Sequence, residues 1–373
     1  MSSVKVCIGC GIKLQGNLPN EEGYLPNEKL ESGHNLYCQR CFKIKNYGKY
    51  IPVIKNEEDY RKEVNSALKE SQVAVVVFDL IDFEGSFNDE ILDIMREIDT
   101  IVVINKVDLI PNGKHPSKVA DWVKKRLKAE GISPLDIAIV SSKNGYGISG
   151  IYKKINHFYP NGVKAIVLGV TNAGKSSIIN KLIGKKRITE SKYPGTTLKS
   201  VKNKIPYTNI EIIDTPGLIP KGRISDLVCE ECNLKIVPST EITRKIYKIR
   251  NGRIILIEKM LWIKILNKDE VKPIFSLYLS KSLTIHETNC VKGIQMFSNK
   301  DDNNVFKVPC NKCEDRYNGL KFKKIRKTIN PGEDLVFKGL GWLSVKRGPL
   351  EIEIYLPEEA QLIQREAFLA DIV

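Results

Sequence analysis

The feature that most constrains this chain lies near its middle: Gly169-Val170-Thr171-Asn172-Ala173-Gly174-Lys175-Ser176-Ser177. An apolar run at 164–168 precedes it and reads as a buried parallel strand; residues 178–182 follow it and read as a helix. Strand, glycine loop and helix form the setting in which G-x4-G-K-[ST] binds phosphate. The glycines let backbone N–H groups turn toward a polyphosphate, and the helix N-terminus adds partial positive charge. Lys175 is expected to reach the β- and γ-phosphates and the Ser176 hydroxyl to ligate Mg²⁺, with Gly169, Asn172, Ala173, Gly174 and Ser177 completing the cradle.

Such a loop usually opens a nucleotide domain, yet here comparable elements precede it. Residues 73–78 are a continuous β-branched run typical of a strand buried on both faces. It ends in the acidic segment 79–86, whose carboxylates read as loop anchors with nothing to pair with them. A second strand, 100–104, runs into Asn105-Lys106-Val107-Asp108. An aspartate there accepts hydrogen bonds from guanine N1–H and the 2-amino group, a pattern adenine cannot supply, and a buried carboxylate left unpaired rejects the wrong base. Asp108 is the expected specificity residue, with Asn105 and Lys106 bracing base and P-loop. A third strand, 137–140, ends in Ser141-Ser142-Lys143, placed to meet the guanine oxygen through backbone N–H.

Beyond the P-loop, Tyr193-Pro194-Gly195-Thr196-Thr197 reads as a switch loop offering the Thr197 hydroxyl to Mg²⁺. Strand 210–213 then enters Asp214-Thr215-Pro216-Gly217, in which Asp214 would hold Mg²⁺ through water and the Gly217 N–H would meet the γ-phosphate. The expected ligands are therefore GTP or GDP with Mg²⁺.

The N-terminus has no apolar signal region and no run approaches the length of a membrane span, so a soluble, cytoplasmic protein without membrane contact is expected. Its nine cysteines then fall in a reducing compartment, where C-x-x-C pairs bind metal more often than they form disulfides. Cys7, Cys10, Cys38 and Cys41 supply four thiolates for a closed tetrahedral Zn²⁺ site, whose metal would contribute most of the folding energy of so short a segment. Cys229, Cys232, Cys310 and Cys313 could form a second such site; their wide separation leaves this open. Cys290 reads as a small buried hydrophobe.

A formal charge of +15 points to a polyanionic partner. Residues 42–50 interleave cations with aromatics, either to contact phosphates and bases or with the aromatics packed beneath the knuckle. The last third alternates short apolar runs with turns and reads as strand-rich. Within it, Lys321-Phe322-Lys323-Lys324-Ile325-Arg326-Lys327 reads as a strand with one basic face, open to RNA or to solvent.

Ordinary GTPases place the P-loop first and N-K-x-D and the Ser-Ala-Lys-type loop last. Here the last two come first, which a circular permutation permits, because it preserves contacts while moving the termini. This order, led by the cysteine knuckle, resembles the YqeH-like circularly permuted GTPases; the likeness extends through 79–86, Leu283-Thr284-Ile285-His286-Glu287-Thr288 and Phe337-Lys338-Gly339-Leu340-Gly341-Trp342. It implies an α/β fold: a zinc knuckle over 1–50, a permuted GTPase domain over 51–220 and a strand-rich α+β domain over 221–373 that binds RNA. It further implies a role in assembly of the small ribosomal subunit, with its precursor and rRNA as partners. Leu218 stands where Ras-type enzymes place a water-orienting glutamine, so slow intrinsic GTP hydrolysis is expected. Asn172 is similar to the asparagine with which some GTPases hold a K⁺ beside the phosphates, which implies K⁺-stimulated turnover. An RNA-binding assembly protein using GTP only as a structural ligand is the alternative, and the oligomeric state is open.

Overall fold

Continuous apolar runs can be buried on both faces only inside a layered α/β unit, and that is where they lie. The structure, a computed structural model, describes residues 5–19, 21–32, 36–47, 57–111, 116–184, 199–268, 270–298 and 305–368. The chain divides into two units, Met1–Val107 with Ala120–Pro220, and Asp108–Val119 with Lys221–Val373.

In the first unit, β1 (Val73–Asp79), β2 (Thr100–Asn105), β3 (Asp136–Ile139), β4 (Val163–Leu168), β5 (Val201–Lys204) and β6 (Ile210–Asp214) form one sheet in the order β3-β2-β1-β4-β6-β5. All neighbours are parallel except β5, which runs antiparallel to β6. Every residue of β1 and β2 is buried. The helix Ile148–Phe158 and the turn after it carry the chain from the edge strand β3 to the central strand β4. That joint lets the P-loop follow the base-side motifs in sequence while remaining beside them in space.

The two cysteine knuckles of this unit enclose a small core of their own, built from the four cysteines with Ile12, Leu14 and Leu25. The Lys199 N–H donates to the Cys10 carbonyl at 2.8 Å. Gly11 sits at φ 77°, where a Cβ would fall 2.6 Å from the Lys199 carbonyl oxygen, so only glycine permits this approach. Phe42, with the Lys29 ammonium over its ring, is exposed rather than packed beneath the knuckle. Residues 48–50 lie outside the described residues.

The second unit contains β7 (Thr243–Tyr247), β8 (Arg253–Ile257), β9 (Leu261–Ile265), β10 (Ile274–Leu279), β11 (Ile285–Asn289), β12 (Phe322–Ile329), β13 (Glu333–Phe337), β14 (Gly341–Arg347), β15 (Leu350–Pro357) and β16 (Leu362–Glu366). They form two five-stranded sheets, ordered β16-β13-β14-β10-β7 and β11-β8-β9-β15-β12, with antiparallel neighbours throughout. Ile255, Ile263 and Ile354 of one sheet share a core with Phe275, Leu335 and Leu343 of the other.

Three expectations need correction. The cations of β12 do not form one basic face: side chains alternate along a strand, which puts Lys323 and Lys327 with the apolar Ile325 and Ile329, and Lys324 and Arg326 on the opposite side. Cys290 is half-buried and opens the helix Cys290–Ser298. The acidic segment is not without partners: Asp79 forms an ion pair with Lys106, and the buried Glu84 pairs with Arg126 at 3.5 Å. Burying a carboxylate without such a partner is costly.

Candidate nucleotide and metal sites

The P-loop leaves β4 at Gly169 and enters the helix Lys175–Leu182. Gly169 passes so close to β1 that a Cβ would lie 2.5 Å from the Val77 carbonyl oxygen. Gly174, at φ 95°, leaves no room either, since a Cβ would lie 2.1 Å from the Asn105 amide nitrogen. Asn172 also adopts a left-handed backbone, φ 65°.

Asn105, fully buried at the end of β2, connects three of the sequence motifs. Its Nδ2 donates to the Ala173 carbonyl at 2.8 Å and to Ser142 Oγ at 3.1 Å, and its Oδ1 accepts the Ser142 N–H at 2.9 Å. One amide side chain thus fixes the P-loop against the Ser141-Ser142-Lys143 loop. That loop is closed by Ser141, whose N–H donates to the Tyr146 carbonyl at 2.9 Å; Lys143 is exposed. Lys106 has a positive φ of 70° and extends to Asp79. Asp108 lies in the 3-10 turn Val107–Leu109 and is grouped with the second unit.

The D-x-x-G segment is joined to the P-loop by backbone. Val170 and Leu218 form a parallel bridge, in which the Thr171 N–H donates to the Leu218 carbonyl at 2.8 Å. Thr215 Oγ1 donates to the Val167 carbonyl at 2.7 Å. Gly217 lies against the loop, since a Cβ there would be 2.8 Å from Lys175 Nζ and 2.9 Å from the Thr171 nitrogen. Leu218 is itself buried, so its side chain serves packing and offers nothing to a water molecule. Thr197 and the rest of its switch loop lie outside the described residues.

The Lys175 ammonium donates to the Gly169 and Val170 carbonyls at 3.0 and 3.1 Å. Burial pulls its pKa down from 10.5 to about 8, and the Asp214 carboxylate partly opposes the shift. A desolvated cation held by carbonyl oxygens in a glycine cradle suits an incoming polyphosphate. Ser176 Oγ stands 3.4 Å from Asp214 Oδ2, so a hydroxyl and a carboxylate converge at the helix start. Hard oxygen ligands of this type fit Mg²⁺.

The first cysteine cluster is buried, with all four sulfurs within 4.8 Å of one another. Cys10 and Cys38 sulfurs are 3.8 Å apart, and the Cys38 N–H donates to Cys7 Sγ at 3.2 Å. The hydrogen bonds that Cys7 receives, first from Cys10, pull its thiol well below the ordinary range. Four converging sulfurs with backbone N–H support fit a closed zinc centre. Among the motif residues, the link from Asn105 to Ser142 and the pairing of Asp79 with Lys106 are roles that only the folded arrangement displays.

Residues 164–268 match the family model described as "50S ribosome-binding GTPase", and residues 272–368 match that described as "YqeH-like, C-terminal". The first match begins at the P-loop strand, downstream of Asn105 and Ser141, as it must if the base-side half has been moved to the front. Similar curated proteins include "Uncharacterized protein YqeH" of Bacillus subtilis, 28% identical over 98% of this chain and 99% of the relative. Another is "NO-associated protein 1, chloroplastic/mitochondrial" of Arabidopsis thaliana, 24% identical over 92% of this chain and 70% of the relative. A crystal structure of GNP-bound YlqF from T. maritima aligns with a TM-score of 0.31 at 21% identity, covering 48% of this chain and 66% of that one.

The permuted motif order, the sheet and the P-loop define a circularly permuted P-loop GTPase, an enzyme that hydrolyses GTP. In its strand-rich C-terminal domain, and in its similarity to a relative over nearly its whole length, the chain resembles the YqeH-like proteins. Among the described residues, no helix is long and apolar enough to cross a membrane.

Proposed function

We propose that this GTPase is a guanine-nucleotide switch acting on a ribosome-assembly intermediate, the small-subunit precursor with its rRNA. The observation that carries the reading is Asn105, whose side chain holds the P-loop and the 141–143 loop in one hydrogen-bonded unit. A base seated beside that unit and a phosphate in the cradle would report on the same side chain. In this reading Asp108 selects guanine, with Lys106 and residues 141–143 closing the base site. Lys175 and the loop N–H groups hold the phosphates; Ser176, Asp214 and Thr197 would hold Mg²⁺, and Asn172 a K⁺. When bound, these cations offset the negative charge that builds on the transferring phosphoryl group. Gly217, joined to the P-loop through its neighbour Leu218, senses the γ-phosphate.

The chain then divides at 1–50, 51–220 and 221–373 into knuckle, switch and RNA-binding domain. The charge of +15 favours a polyanionic partner. The small subunit comes from the YqeH-like resemblance, whereas the description of the matched GTPase model names the 50S subunit. Multiple-turnover GTP hydrolysis measured with purified precursors of each subunit tests the choice. Stimulation by small-subunit particles is expected; stimulation only by large-subunit particles would redirect the assignment. GTP binding without turnover on either would favour the structural-ligand alternative.

A further inference from the structure

The C-terminal unit contains a second convergence of thiols that the nucleotide switch does not use. We propose that Cys229, Cys232, Cys310 and Cys313 form a second closed zinc centre that staples the entry of this unit to its β-sheet core.

The sulfur geometry is that of a metal site. Cys229 and Cys310 sulfurs are 3.4 Å apart, those of Cys232 and Cys313 are 3.8 Å apart, and all four lie within 4.8 Å of one another. A tetrahedral zinc with Zn–S bonds of about 2.3 Å requires sulfur–sulfur edges of about 3.8 Å. A disulfide requires about 2.05 Å. The N-terminal cluster has the same edge, 3.8 Å between Cys10 and Cys38. The two clusters also share a backbone device. The N–H of the third cysteine donates to a sulfur of the first pair, Cys310 to Cys232 at 3.2 Å and Cys38 to Cys7 at 3.2 Å. Such N–H···S bonds support thiolate charge on a ligating sulfur. A redox dithiol needs two sulfurs; here four converge, and four fill the shell of a structural zinc.

The location gives the centre its purpose. Cys229 and Cys232 stand at the start of the helix Glu230–Ile236, soon after the chain leaves the D-x-x-G segment, whereas the second pair lies 78 residues beyond Cys232. Cys232 and Cys313 are part of the main core, with Cys229 and Cys310 packed against it. Backbone bonds fix the same stretch: the Ile224 N–H donates to the Lys338 carbonyl at 2.9 Å and the Gln361 N–H to the Gly222 carbonyl at 3.0 Å. A crosslink between such distant segments restricts the unfolded chain and removes slack where the switch connects to the sheets. The shell is all protein, so the role is structural.

Metal content of the full-length protein, purified under reducing conditions, tests this by elemental mass spectrometry. Wild type is expected to carry about two zinc ions per chain. Cys7→Ser and Cys310→Ser should each lose about one, and Cys310→His should retain two, because histidine can replace a thiolate in such sites. One zinc in wild type, an unchanged count in Cys310→Ser, or a Cys229–Cys310 disulfide under reducing conditions would overturn the proposal. Should Cys310→Ser fail to fold, cobalt replacement of the wild-type metal decides. Thiolate charge-transfer absorbance about twice that of a single four-sulfur site is expected, and absorbance equal to one site contradicts it.

Discussion

Lys106 and Asp79 form an ion pair that joins the ends of the neighbouring strands β1 and β2. Asp79 Oδ1 also accepts the Ile81 N–H at 3.0 Å, so one carboxylate shapes its own loop and fixes the lysine of N-K-x-D. Lys106 adopts φ 70°, a conformation costly for a side chain with a Cβ, and the ion pair helps hold it there.

Removing that charge should therefore act on both fold and base site. Asp79→Asn is expected to lower stability by about 2 kcal/mol, below the cost of breaking a fully buried pair because the lysine retains some solvent. It should also weaken GTP binding by about tenfold, the equivalent of about 1.4 kcal/mol. Denaturant unfolding and fluorescent-GTP titration measure the two effects. Wild-type values in both would mean that the pair is incidental.

Lys175 is expected to make nucleotide binding pH-dependent. Its pKa is 10.5 when unperturbed and about 8 in the fold. Between these values the unfolded chain holds more of this proton. The penalty of burying the ammonium is thus fully present below about 8 and is relieved as pH rises toward 10.5, which stabilises the nucleotide-free protein over that interval. Polyphosphate needs the ammonium, so binding at pH above about 8 takes up a proton, and GTP affinity should fall there by up to about tenfold per pH unit. Calorimetry in buffers of different ionisation enthalpy measures that proton; a flat profile from about pH 7 to about pH 9.5 would contradict the assignment.

Asn172, held in a left-handed conformation within the P-loop, is the proposed K⁺ ligand. GTP turnover in KCl should exceed that in NaCl by about tenfold or more, a barrier change of about 1.4 kcal/mol. Asn172→Ala should remove the difference. Equal rates in the two salts would contradict the proposal.

The basic strand β12 lies at a sheet edge, with Arg326 paired to Glu353 at 3.1 Å and Lys324 over the Trp262 ring. Replacing both Lys323 and Lys324 by Glu should weaken RNA binding and reduce the slope of log affinity against log salt by about 0.7–0.9 per lost phosphate contact. Unchanged affinity and slope would move the RNA surface elsewhere.

The nucleotide unit was readable because parallel strands buried on both faces leave unbroken apolar runs, as at 73–78 and 100–104, and the motif loops follow directly from their ends. What escaped is relational. Nothing local to Asp79 indicates that a lysine after the next strand neutralises it. Asn105 is legible as a motif residue, but its bonds to Ala173 and Ser142 exist only once three loops meet. In the second unit, β16 has no buried residue to mark it, whereas β8 and β9 are almost wholly apolar. The basic run 321–327 misleads because a strand divides adjacent cations between its two faces. The cysteines at 229–232 and 310–313 are too far apart for spacing alone to pair them; the fold brings their sulfurs together.

The central claim, that nucleotide state governs association with a ribosomal precursor, is tested most directly by sedimentation. The full-length protein would be centrifuged with cell-extract ribosomal particles in GTP, GDP or a non-hydrolysable GTP analogue. Co-migration with small-subunit precursors in one nucleotide state, and release in the other, is the predicted result. Equal association in all three, or none with any ribosomal particle, would contradict the account.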